Sequence, residues 1–138
     1  LGVTHYTAGA HEEVARVLMA EELDFVQINY SLTEREAENR LLPIAADNRI
    51  AVLANRPLAA GSLFSKVRGK PLPAWANEIG CKSWAQFFLK FVVSHPAVTC
   101  AIPATSKLDH LRDNMGAGFG PLPEAKTRQK MADYVAAM

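Results

Sequence analysis

A chain of 138 residues with 15 basic and 14 acidic side chains carries a net charge of +1, which excludes a general electrostatic pull towards nucleic acid or anionic membranes. Hydrophobic residues make up 49% and charged residues 21%, the balance of a soluble globular domain long enough to bury one core. The two cysteines, Cys81 and Cys100, fit no metal-ligand spacing. They are expected as buried, reduced thiols in a reducing, cytoplasmic setting, and no metal is expected. No apolar run reaches the roughly 18 residues of a membrane span.

Residues 1–5 are a short β-type run. They lack Met and a basic leader, and read as the inside of a strand, so the chain is expected to be a piece of a longer one. A turn at Thr7-Ala8-Gly9 precedes a helical pattern with Val14, Val17 and Leu18 at i, i+3, i+4, and Glu21-Glu22 closes it. Residues 23–30 (L-D-F-V-Q-I-N-Y) form a second, largely apolar strand, of the kind covered on both faces in a parallel sheet. Gln27 and Asn29 share one of its faces. Thr33 and Glu36 have capping-box spacing before a stripe of Ala37, Leu41, Leu42 and Ala45. Pro43 inside that stripe should kink or restart the helix.

A third strand spans residues 50–54 and runs into Asn55-Arg56-Pro57-Leu58-Ala59-Ala60-Gly61. Residues 62–73, rich in Gly, Pro, Lys and Arg towards their end, are expected as a long mobile loop. A short helix over residues 73–79 ends at Gly80. Ser83 caps a helix over residues 84–93 that is apolar on nearly all sides and should be deeply buried. A fourth strand, residues 98–102, leads through Pro103 to Ser106, which is placed as a helix N-cap with Asp109 three residues on. Leu108, Leu111 and Met115 follow at helical spacing. Gly116 to Gly120 is expected as a flexible link, and a last amphipathic helix places Met131, Tyr134 and Val135 on one side.

The order of elements implies a parallel sheet with right-handed crossovers. Four βα units can make a small open sheet or half of an eight-stranded (β/α)8 TIM barrel. Polar residues gather after the strand ends: Thr4-His5, Gln27-Asn29, Asn55-Arg56 and Thr105-Ser106-Lys107. Barrels build their sites there, and often bind phosphate after the last two strands. A strand, a short loop and a helix start at residues 98–114 also make an anion site, with Lys107, His110 and Arg112 on the first turns. Half a barrel is therefore expected, with extra helices.

The segments G-V-T-H-Y, D-F-V-Q-I-N-Y-S, A-V-L-A-N-R-P-L-A-A-G, S-W-A-Q-F-F-L-K-F and A-I-P-A-T-S-K-L-D-H-L-R-D-N occur in one order. Together they resemble the C-terminal half of an aldo/keto reductase, an NAD(P)H-dependent oxidoreductase that reduces aldehydes and ketones by hydride transfer. The resemblance implies that Thr4 and His5 stand where the family usually has a Ser-Asn pair on the nicotinamide carboxamide. It implies that Gln27 bonds the same group. Asn55 replaces the tyrosine that many members stack on the nicotinamide ring. Arg56, Leu58 and Ala60 border the loop over the pyrophosphate. Ala104 replaces a lysine that many members use on the 2′-phosphate, leaving Thr105, Ser106, Lys107 and His110 for that role. Asp113 and Asn114 match the pair that reads the adenine. NADP(H) is the expected cofactor and NAD(H) the alternative.

The family's catalytic tyrosine, lysine, aspartate and histidine belong to the N-terminal half, so the resemblance implies no catalytic residue in this chain and no activity alone. Tyr6 and Tyr30 are not assigned as acids, and His11 and His95 are taken as surface or helix-end residues. Trp75 and Trp84 are placed in the core. The expected partners are the dinucleotide and either the missing N-terminal half or a second copy of the chain. The alternatives are a non-catalytic, self-associating nucleotide-binding half-barrel and an unrelated open-sheet phosphate binder. Sequential strand order would favour the barrel, and a reversal the open sheet.

Overall fold

The structure is a computed structural model describing all residues, 1–138. Strands β1 (Gly2–Thr4), β2 (Phe25–Asn29), β3 (Ala51–Asn55) and β4 (Cys100–Ala101) form one parallel sheet. Its order is β1-β2-β3-β4, with no reversal, as a barrel segment requires. The helices are α1 (His11–Ala20), α2 (Leu41–Asp47), α3 (Ser62–Lys66), α4 (Trp84–Val93), α5 (Leu108–Met115) and α6 (Ala125–Ala136).

Alternation along the strands builds the core. Val26, Ile28, Val52 and Ala54 are fully buried on one face, against the helices. The opposite face carries Phe25, Gln27, Asn29, Ala51, Leu53 and Asn55 in the register Phe25↔Ala51, Gln27↔Leu53 and Asn29↔Asn55. That face is open at the start of β2, where Phe25 is 48% exposed, and closed at its C-terminal end, where Asn29 is 4% exposed. Cys81 is buried, its thiol pushed up to about 11 by burial, whereas Cys100 is exposed and corrects the expectation of two buried thiols.

Two proposed caps give way to other turn chemistry. Thr33 caps nothing: the buried Ser31 accepts the Glu34 N–H on its Oγ at 3.0 Å, and a 3-10 turn follows at Glu36–Asn39. Helix α2 restarts at Leu41 with Pro43 in its first turn, where a missing N–H is harmless. Ser106 does not cap α5 either. Lys107 is the capping position, and its N–H bonds back to Thr105 Oγ1 at 3.2 Å, an ST-type turn that takes the local donor. Ser83 does cap α4, accepting from the Gln86 N–H at 3.1 Å. Within residues 62–73 the chain forms α3 and packs Leu63 and Val67 into the core.

Helix α4 is buried from Ala85 to Val92, polar residues included. Lys90, fully buried, donates to the carbonyls of Phe119 at 2.6 Å and Pro121 at 3.0 Å, tying down the link before α6. Arg128 of α6 reaches back to donate to the Phe91 carbonyl at 3.2 Å, to the Tyr30 hydroxyl and to Glu38 Oε1 at 3.4 Å. Its guanidinium lies 4.6 Å from the Phe91 ring centre. Tyr30 donates to Glu38 at 2.6 Å, Arg35 grips the same carboxylate at 2.7 Å, and His95 meets Tyr30 edge-on. His95 is thus half-buried in a network at the end of α4.

This cluster predicts a two-step acid response. Burial, then the Arg128 charge, hold His95 below its ordinary value near 6.5. The unfolded chain protonates first, so stability starts to fall as pH drops below about 6.5. Burial pushes the Glu38 carboxyl up, but bonds from Arg35 and Tyr30 and the two arginine charges outweigh it, leaving the group below 4.5. Its contribution is complete above about pH 4.5 and is lost as pH falls through the lower folded value. Urea midpoints from pH 8 to 3 should show both steps, and Glu38→Gln should remove the lower one.

Candidate functional site

The strand register brings the candidate residues of β1 to β3 side by side at the C-terminal ends of the strands. Thr4 pairs with Gln27, and Asn29 with Asn55. Asn55 donates through Nδ2 to the His5 carbonyl at 2.9 Å, bridging over β2. Its Oδ1 is buried and has no hydrogen-bond partner, a free acceptor of the kind a ligand amide satisfies. The His5 ring accepts from the Thr7 N–H at 3.1 Å and stacks on exposed Tyr6.

After β3 the backbone turns left-handed at Arg56 (φ 50°), Ala59 (φ 48°), Ala60 (φ 51°) and Gly61 (φ 90°). Only the last is free of a Cβ penalty, so three strained residues sit together, a concentration found where a loop serves a site. The loop and Phe64 of α3 form one wall of a cleft of about 570 Å³. The other wall is Ile102, Pro103, Ala104, Thr105 and, on α5, His110 and Asn114. The cleft thus gathers Arg56, Leu58, Ala60, Thr105, His110 and Asn114 of the candidate set. Ser106 and Lys107 are exposed beside it and do not line it. Thr4, His5, Gln27 and Asn55 lie at the strand ends, outside the lining.

Gln86, buried in α4, escaped the sequence reading. Its Oε1 accepts from the Lys82 N–H at 2.9 Å and its Nε2 donates to Asp113 Oδ1 at 2.7 Å. It therefore fixes α5, and the Asp113-Asn114 pair with it, against α4. The available signal was a glutamine in an otherwise apolar helix. A Cβ on Gly116 would stand 2.4 Å from Gln86 Nε2. Gly116→Ala should push Gln86 off Asp113 and lower stability by about 1–3 kcal/mol, the scale of overpacking, in urea unfolding.

Tyr30, near a strand end, is committed elsewhere. Burial, then its bond to Glu38, raises its hydroxyl far above the ordinary value, which makes it a poor proton donor at neutral pH. Asn29 is 4% exposed and accepts on its Oδ1 from His11 Nε2 at 3.2 Å, so His11, the first residue of α1, also serves the strand ends. No three His, Cys, Asp or Glu side chains converge as metal ligands, and no helix is long and apolar enough to cross a membrane.

The apolar stripe of α5 is bare: Leu108 is 59% and Met115 60% exposed, with Leu111 beside them. Helix α5 follows β4, the strand at one edge of the sheet. The chain superposes on an aldo-keto reductase of Klebsiella pneumoniae in complex with NADPH, with a TM-score of 0.70 at 24% identity, covering 97% of this chain and 47% of that one. It also superposes on a holo aldo-keto reductase of Bacillus halodurans, with a TM-score of 0.69 at 17% identity, covering 97% and 49%. These are TIM barrels, and the present fold matches about half of each.

Among curated proteins, the NADH-specific methylglyoxal reductase of Escherichia coli is 36% identical over 70 residues, 49% of this chain and 22% of that protein. An uncharacterized oxidoreductase of Schizosaccharomyces pombe is 34% identical over 92 residues, 67% of this chain and 29% of that protein. The chain spans less than a third of the length of these relatives. The aldo/keto reductase family model matches residues 1–130. On this match, the sequential parallel sheet and the cleft after its last two strands, the chain belongs to the aldo/keto reductase family.

Proposed function

We propose that this chain is the dinucleotide-binding half of an NAD(P)H-dependent aldo/keto reductase, and that carbonyl reduction needs a complementary half to supply the proton donor. The observation that carries the reading is the cleft between the left-handed loop after β3 and the β4–α5 segment, lined by Arg56, Leu58, Thr105, His110 and Asn114. Arg56 offers a fixed cation for a phosphate. Thr105 and His110 serve the adenosine end, and the unpartnered Asn55 Oδ1, beside Gln27 and Thr4, suits a carboxamide donor. The bound dinucleotide supplies the hydride. The chain's own residues would hold it: Arg56 at a phosphate, and Asn55, Gln27 and Thr4 at the carboxamide.

The relatives point to a nicotinamide cofactor without agreeing on which: one is named NADH-specific, while another was solved with NADPH. NADP(H) is the proposed ligand, with Thr105, Ser106, Lys107 and His110 near the 2′-phosphate; NAD(H) is kept as the alternative because Ala104 offers that phosphate no charge. Fluorescence titration of the chain with NADPH and NADH tests this. Saturable binding of either, with no reduction of aldehydes until an N-terminal half is added, is the expected result. Turnover by the chain alone, or no binding of either nucleotide, overturns it.

A second reading, a self-associating half-barrel, draws on the bare surface of Phe25, Ile102, Leu108, Leu111 and Met115. Such a surface, together with two open strand edges, seeks a partner. Light scattering showing a dimer in which dinucleotide binding is lost favours this reading over the first.

A further inference from the structure

We propose that Glu34 is a positioning residue for the dinucleotide cleft, holding the guanidinium of Arg56 at the cleft's mouth before an anionic ligand arrives. The proposal rests on the cleft being a dinucleotide site, but its central contact exists in the ligand-free chain.

Arg56 is the only permanently charged residue lining the cleft. A long, exposed arginine normally loses side-chain entropy when it pairs with a phosphate. Here its Nη2 already sits 3.5 Å from Glu34 Oε1. Glu34 is itself held from several sides. Its N–H donates to the Ser31 hydroxyl at 3.0 Å and its carbonyl accepts from the Ser31 N–H at 3.1 Å, and Ser31 is fully buried. Its other oxygen, Oε2, accepts from Asn29 Nδ2 at 3.4 Å. Asn29 is buried at the end of β2 and bonded on its far side to His11. The result is a chain of side chains, His11–Asn29–Glu34–Arg56, that crosses the mouth from the start of α1 to the cleft wall.

The two ends of the chain contrast in rigidity. Asn29 is fixed in the sheet, whereas Arg56 stands on a left-handed residue with its side chain 40% exposed. An ion pair this open adds little to stability. What it supplies is direction. A guanidinium has five N–H donors in a fixed fork, so its charge can stay beside the Glu34 carboxylate while donors face a phosphate. Glu34 thus acts through Arg56 and need not touch the ligand.

The test has two arms. In the ligand-free chain, side-chain 15N NMR of Arg56 should show slowed guanidinium rotation, and Glu34→Gln should release it while shifting the melting temperature by no more than about 2 °C. Equal rotation in both proteins overturns the proposal. In NADPH titrations, Arg56→Gln should weaken binding by roughly tenfold, the scale of one charge-assisted hydrogen bond. Glu34→Gln should weaken it by roughly threefold, and the double variant should be no weaker than Arg56→Gln alone. Tighter binding by Glu34→Gln, or an equal loss in the Arg56→Gln background, overturns it. If the unmodified chain binds no dinucleotide, the cofactor reading fails, and the NMR arm alone decides whether Glu34 holds Arg56.

Discussion

Arg128→Ala is expected to remove about 3 kcal/mol of stability, the lower end of the loss on breaking a buried charge network, and to lower the melting temperature by roughly 10 °C. The side chain is 10% exposed and serves four partners: the Phe91 carbonyl and ring, the Tyr30 hydroxyl and Glu38. Truncation removes one partner from each: the Phe91 carbonyl keeps only the Ser94 hydroxyl, the Tyr30 hydroxyl keeps only Glu38, and the Glu38 carboxylate loses one of its two cations. Arg35 keeps its grip on Glu38, which is why the loss stays at the lower end. Arg128→Lys should fall between the two proteins, since it retains charge but cannot fork. Equilibrium urea unfolding at pH 7 measures all three, and a loss under about 1 kcal/mol for the alanine variant contradicts the account.

Phe87→Ala should cost more, about 3–5 kcal/mol. The ring is fully buried in α4 and packs against Trp75 at 5.5 Å, Trp84 at 5.3 Å and Phe88 at 6.1 Å between ring centres. It therefore loses transfer energy, leaves a cavity and gives up three aromatic contacts. Against a total stability of about 5–15 kcal/mol, such a loss brings the chain near its threshold. The chain has 2 tryptophans, and both touch this ring. Tryptophan emission should therefore shift red in the native baseline as well as at the transition. Phe87→Leu, which fills most of the space, should lose less than half as much.

The half-barrel was legible because its evidence is local and repeated. Each βα unit announces itself by a short apolar run and a 3.6-residue stripe, and the polar residues at the strand ends mark the mouth. Gly80 and Ser83 bound their helices as their chemistry demands. The failures were at Thr33 and Ser106, where a hydroxyl at the right spacing was bypassed by Ser31 and Thr105. Spacing alone cannot rank two hydroxyls that compete for one turn. The α5 stripe has the helical spacing read from the sequence, but its exposure follows from tertiary packing, which spacing does not encode. In the site, Arg56, Leu58 and Ala60 after β3 and Thr105 after β4 share one cleft, whereas Asn55, Ser106 and Lys107 do not line it. The roles of Gln86, Glu34 and Arg128 were out of reach, because each joins segments distant in sequence and follows no periodic signal.

The sequential sheet and the Arg128–Tyr30 bond together set how this chain must assemble. Every strand pairs with the one before it, so each unit can dock as it leaves the ribosome, with short loops to close. The Arg128–Tyr30 contact spans 98 residues and ties the second strand's end to the final helix. Until α6 emerges, Arg35 is the one guanidinium beside Glu38 and over the Phe91 ring. Loss of α6 would thus leave the Tyr30–Glu38 pair and the Phe91 carbonyl without the group that joins them.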